Sequence, residues 1–239
     1  MAWLLELVYQ AWSTPQFKFD DEDKFGNRGD KAFGLSQGFW VDPTKIPVSA
    51  QQTTKKRVPD VFPMPGCNAV SQRFKDLVEQ FEPGIHQFFP LKLRRKSGFS
   101  IEQNYYVFNC MTSVDTVLVK ESRFRWGRFE EIDKPRIDID REKDIVLSRM
   151  AIETRHLWKG LYLQPIGSGV FCSDAFEKAL KKKKIRFLKQ TYCREIDVPW
   201  LPEENIQPAL DWEAENGEPW GYRPRLRAQT LASRGKLEL

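Results

Sequence analysis

Two stretches of the chain, PMPGCNAVSQRFKDLVEQ from Pro63 to Gln80 and PIGSGVFCSDAFEKALKK from Pro165 to Lys182, read as copies of one unit. Pro63 matches Pro165, Ser71 matches Ser173 and Phe74 matches Phe176, each pair 102 residues apart. In both copies a turn with proline and glycine leads into a short apolar run, then a serine, then a helical period. The serine hydroxyl is placed to accept from free N–H groups of the first helical turn. Phe74, Leu77, Val78 and Phe81 fall at i, i+3, i+4 and i+7, and Phe176, Ala179 and Leu180 repeat the first three positions. Extended apolar runs follow, Phe88 to Leu93 in one copy and Phe187 to Tyr192 in the other, after a slightly shorter connection in the second. Each unit is thus strand, helix, strand, and is too small to bury a core alone, so the two are expected to share one.

Outward from the repeat, Trp3, Leu5, Leu7 and Tyr9 alternate with polar or smaller contacts and predict an opening strand. Residues 13–60 lose periodicity around the acidic cluster Asp20 to Asp23 and predict irregular structure with short strands. Between the copies, Tyr105 to Phe108, Val117 to Val119 and the aromatic run from Ile152 to Leu163 predict further strands. The expected fold class is α+β, a mixed sheet with few helices built around two similar strand-helix-strand units. The expected organisation is one compact domain: an N-terminal strand and irregular segment (1–62), a first repeat half (63–128), a second (129–198) and an acidic, aromatic tail (199–239).

Composition excludes several classes. The four cysteines, Cys67, Cys110, Cys172 and Cys193, lie far apart with no paired spacing, so neither a zinc site nor a redox dithiol is indicated. The opening MAWLLELVYQAW lacks a basic flank and a cleavage site, and no window has the roughly 20 apolar residues of a membrane helix. A cytoplasmic protein without membrane contact is expected. The net charge of +5 is modest, but its distribution is bipolar. Lysines and arginines crowd residues 177–194, whereas residues 200–222 carry carboxylates and no Lys or Arg.

Catalytic constellations are scarce. The only histidines, His86 and His156, lie 70 residues apart and read as structural or surface residues. Gly167-Ser168-Gly169 lacks the lysine of a phosphate loop and the frame of a nucleophile elbow, so it reads as a turn. Asp115 with Glu121, and Asp138 with Asp140, offer carboxylates without a legible acid–base environment. No catalytic residue, cofactor or metal is assigned. The lysine run 181–184 reads as the exposed end of the second helix, where cations meet the dipole. A nucleic-acid grip through that run is the alternative function, and a hydrolase of scattered carboxylates is a third. The tail carries Glu203, Glu204, Asp211, Glu213, Glu215 and Glu218 among Trp200, Trp212, Trp220 and Tyr222. That mix suits a partner-binding surface, carboxylates for a cationic cleft and tryptophans for anchors. The competing reading has the tryptophans pin the tail to its own body.

The second copy, His156-Leu157-Trp158-Lys159-Gly160-Leu161 followed by GVFCSDAFEKALKKKKIRFLKQTY, resembles the C-terminal hallmark of the eleventh numbered immunity-protein family of bacterial polymorphic toxin systems. Tyr105-Tyr106-Val107-Phe108-Asn109, Val114-Asp115, Ser122 with Phe124, and the opening WLLEL are similar to that family's middle and start. The likeness covers about residues 1 to 195; the tail lies outside it. It implies a non-enzymatic antitoxin that binds and neutralises a cognate bacterial effector. The chain departs from a common pattern in being net basic, since inhibitors of basic nucleases are commonly acidic.

Overall fold

The computed structural model describes residues 1–7, 12–21, 35, 40–129, 134–139, 145–160, 169–185 and 189–201, with 204, 207, 211, 214, 215 and 217 beyond these. Among them the fold is α+β, as expected: three short helices and mixed sheets. The first repeat folds as strand β5 (Cys67–Ser71), helix α1 (Gln72–Phe81) and strand β6 (Gln87–Arg94). The second folds as β12 (Val170–Ser173), α3 (Asp174–Lys182) and β13 (Lys189–Ile196). Ser71 caps α1 by accepting from Phe74 N at 3.4 Å, and Ser173 caps α3 by accepting from Phe176 N at 3.2 Å. The closing strands keep the same separation as the caps, so the second connection is not shortened.

The correspondence extends beyond the repeat into two sheets. In the first, β7 (Tyr105–Asn109) lies antiparallel between β5 and β6. Outside β5 runs antiparallel β4 (Val61–Met64), and outside β6 runs parallel β3 (Ser49–Gln52), which pairs in turn with β2 (Phe17–Phe19). In the second, β1 (Ala2–Glu6) takes the place of β7 between β12 and β13. There β11 (Leu157–Trp158) stands for β4, and β10 (Val146–Ser148) stands for β3. Register agrees residue by residue. Val107 faces Ala69 and Phe89, as Leu4 faces Phe171 and Thr191. Ser49 pairs with Lys92 as Val146 pairs with Arg194. The second sheet is therefore a circularly permuted copy of the first, with its central strand at the start of the chain.

Period-two alternation sends each strand's side chains to two faces, and both are covered. The central cluster takes Val61, Val70 and Phe108 from the first sheet, Leu5, Leu157 and Cys172 from the second, and Phe74, Leu77, Phe176 and Leu180 from α1 and α3. Equivalent phenylalanines meet there: the Phe74 and Phe176 rings stand edge to face at 6.3 Å, as a residue meets its own copy across a two-fold axis. Two outer clusters cover the far faces, around Phe62, Leu91 and Tyr105 for the first sheet and around Leu4, Leu147 and Trp158 for the second.

Two expected strands fall short. Val117 to Val119 makes only a bridge from Val117 to Leu147; the segment turns at once, Ser122 N returning to Leu118 O, and its apolar character serves burial beside β10. Ile152 closes a four-residue helix, α2 (Arg149–Ile152), and only Leu157–Trp158 of the following run is strand, residues 161–168 lying outside the description. A hairpin of β8 (Phe124–Phe129) and β9 (Lys134–Ile139) stands as its own two-stranded sheet. It carries Asp138; Asp140 lies outside the described residues.

Candidate partner-binding surfaces

The polar side chains at the seam between the sheets are structural. Glu82, just past α1, accepts through Oε1 from His156 N at 2.5 Å and Leu157 N at 3.1 Å, and its Oε2 lies 2.5 Å from His86 Nε2. Met111 N donates to His86 Nδ1 at 3.1 Å. Burial works against an imidazolium at His86, but Cys110 and Glu82 outweigh it and push the ring up to about 9; against this, the Met111 N–H needs a lone pair on Nδ1, and that contact is the one made by a neutral ring carrying its proton on Nε2. Burial raises the Glu82 carboxyl, but the hydrogen bonds from His86, His156 and Leu157 outweigh it and hold the group below its ordinary value. The two histidines, so far apart in sequence, thus share one carboxylate.

Ser173, His156 and Glu82 are the residue types of a hydrolase triad, and the geometry opposes that use. The Ser173 hydroxyl lies 2.8 Å from His156 Nδ1 but is spent capping α3, and Glu82 bonds the backbone of His156 rather than its ring. The first sheet repeats the arrangement without a histidine: Ser71 Oγ donates to Asp60 Oδ1 at 2.6 Å while capping α1. Asp60 and His156 occupy matching positions, each accepting at its carbonyl from the cap serine's N–H. Among the described residues no group of three or more His, Cys, Asp or Glu could hold a metal, and the four cysteines are buried thiols. A cavity of about 20 Å³ between the sheets, lined by Leu5, Val61, Phe74 and Leu157 among others, has room for a single water.

Of the tail residues singled out from sequence, Trp200, Glu204, Asp211 and Glu215 are described; Glu203, Trp212, Glu213, Glu218, Trp220 and Tyr222 lie outside the described residues. The half-buried Trp200 donates through Nε1 to Val117 O at 3.1 Å, and Glu204 lies 3.8 Å from Lys120. Just before them, Ser148 Oγ donates to Val198 O at 2.5 Å and Arg149 pairs with Asp197 at 2.5 Å. The start of the tail is therefore tied to the second sheet, while Glu204, Asp211 and Glu215 face solvent. The lysine run closes α3: Lys181 pairs with Glu177 at 2.6 Å and lies over the Trp3 ring, and Lys183 caps the helix. Asp115 is buried, whereas Glu121 is exposed.

One surface escaped the sequence reading. Because β3 and β6 run parallel, Gln51 beside Arg94, their C-terminal ends emerge together. The triplets that follow, Lys55-Lys56-Arg57 and Arg94-Arg95-Lys96, so converge although 38 residues separate Arg57 from Arg95. Gln51 Nε2 reaches Lys96 O at 3.4 Å, and burial together with Asp60 pushes the Tyr105 hydroxyl up to about 12 against the opposing charges of Arg57 and Arg95. Arg94 pairs with Asp20 at 2.5 Å. Among the described residues no carboxylate pairs with Lys55, Arg57, Arg95 or Lys96. Phe99, 74 % exposed, stands at the tip of the same hairpin. The tip is rigid: Arg95 N bonds Phe99 O and Gly98 N bonds Arg95 O, both at 2.8 Å, with Gly98 at φ +90°.

A search of curated proteins found no match to the chain. The pattern of the Imm11 immunity protein family matches residues 8–191. That span takes in the first repeat, the second as far as the start of β13, the Glu82 seam and the basic hairpin, and stops short of the tail. The chain belongs to the Imm11 immunity protein family.

Proposed function

We propose that this immunity protein is an antitoxin of the cytoplasm that binds a cognate bacterial effector toxin and neutralises it by occlusion, without turning over a substrate. The observation that carries the reading is the family match across residues 8–191. The seam adds support: its Ser, His and Glu are committed to helix capping and backbone hydrogen bonds. The exposed carboxylates Glu204, Asp211 and Glu215 are part of the proposed contact, beside a Trp200 that fixes where the tail begins. The test is co-production with the toxic C-terminal domain of the protein encoded beside this gene. Cells should survive only when the immunity protein is made, and the two purified proteins should form a stoichiometric complex. Truncation after Pro199 should weaken that complex; failure of the full chain to bind or protect would refute the reading.

A further inference from the structure

We propose that the basic end of the first sheet, Lys55, Arg57, Arg95 and Lys96 around Phe99, is a docking surface for an acidic patch on the protein toxin. This rests on the antitoxin reading and adds to it the place of contact and the charge of the surface that meets it.

Three observations carry the inference. The cations are brought together by parallel pairing of β3 with β6, and Lys55, Arg57, Arg95 and Lys96 meet no carboxylate among the described residues. Each would therefore gain from an acidic counterpart, through encounter rate and orientation above all. Second, Phe99 is exposed on the turn that carries Arg95 and Lys96, in a hairpin tip held by two backbone hydrogen bonds, so docking it costs little ordering. A rigid aromatic on the same turn as Arg95 and Lys96 is the composition of an interface hot spot. Third, the permuted copy lets the two units be compared at one place. The end of β6 leads into this basic hairpin, whereas the matching end of β13 leads to Asp197, Trp200 and Glu204. Core packing sets the matching positions in the two units, but it does not require charge of either sign on these exposed ends.

A protein partner is favoured over nucleic acid because the anchor is one aromatic at a tight turn, not a platform of several rings along a groove. The test uses the purified full chain and the catalytically inactivated neighbouring toxin domain, with binding kinetics read at low and physiological salt. Arg57→Glu with Arg95→Glu and Lys96→Glu should slow association about tenfold or more and flatten its salt dependence. Phe99→Ala should speed dissociation about tenfold or more. All four side chains are at the surface, and unchanged thermal unfolding of the variants checks that they fold. If the wild-type chain binds and these variants bind equally well, this inference is overturned while the antitoxin reading stands. If the wild-type chain does not bind the toxin domain, both fall. Tighter binding of mixed-sequence DNA or RNA through the same residues would overturn the protein partner. Self-association through this surface, lost on truncation after Pro199, would assign it instead to a second copy's tail.

Discussion

Replacing Glu82 by alanine should cost about 3–5 kcal/mol of folding stability. The side chain accepts from His156 N, Leu157 N and His86 Nε2, joining the end of α1 to the edge strand of the other sheet. Removing it leaves three donors without an acceptor, and a buried donor so orphaned costs about 1–3 kcal/mol. Leu157 is 1 % exposed and the His86 side chain is fully covered, so water recovers little for those two; His156 is half-buried and recovers more. Against a total stability of about 5–15 kcal/mol, the loss should be plain in equilibrium urea unfolding at neutral pH. Glu82→Gln should cost less, keeping one oxygen for the two backbone donors but turning its amide group toward His86. The acid dependence has a definite sign. The folded pKa of Glu82 lies below its ordinary value, so its contribution is complete above the unfolded carboxylate range and is lost as pH falls through the folded value. The gap between wild type and Glu82→Gln should therefore narrow as the pH is lowered below about 4. A Glu82→Ala variant within about 1 kcal/mol of wild type at neutral pH would refute the assignment of this carboxylate as the tie between the sheets.

The remaining changes test the repeat. Ser71→Ala and Ser173→Ala should each destabilise by about 1 kcal/mol or somewhat more, since each hydroxyl caps a helix and also hydrogen-bonds a second side chain, Asp60 or His156; urea unfolding checks both, and a large inequality between them would contradict the equivalence of the units. Gly169→Ala should destabilise by about 1–3 kcal/mol, because a Cβ there would stand 2.6 Å from Leu4 Cδ1 on the central strand of the second sheet; an unchanged melting temperature would show that Leu4 moves aside freely.

The legible part of the fold was the part written in local pattern. Helix period, cap serine and the strand after it can be read within a dozen residues, and both copies were placed by Ser71 with Phe74 and Ser173 with Phe176. The rest of the duplication was not legible because it preserves contacts rather than residues. The Tyr106 hydroxyl donates to Gln72, the first residue of α1; at the matching positions the Trp3 indole donates to Asp174, the first of α3, at 3.3 Å. Asp60 and His156 likewise serve the same cap with different chemistry. Self-comparison of the sequence sees no identity in either pair. Permutation hides it further, since β1 stands before both copies rather than after the second. Val117 to Val119 misled because apolarity reports burial, and a buried turn beside β10 is as apolar as a strand. The basic end was missed for a topological reason: nothing local says that the ends of β3 and β6 are neighbours.

Where the units match and where they differ separates folding from function. The central cluster requires Phe74 and Phe176 to meet, both cap serines to close their helices, and Phe108 and Leu5 to fill the space between the sheets. None of these groups can turn outward without opening the core that the two sheets share. Side chains beyond the strand ends carry no such obligation. There the first unit adds β2 and a basic, Phe99-tipped hairpin, and the second adds α2 and an acidic segment opened by Trp200. A duplicated scaffold whose equivalent ends carry opposite charge can orient a partner as well as hold it, because reversing the partner would place like charges together. Binding specificity would then reside in the departures from symmetry, and stability in the symmetry itself.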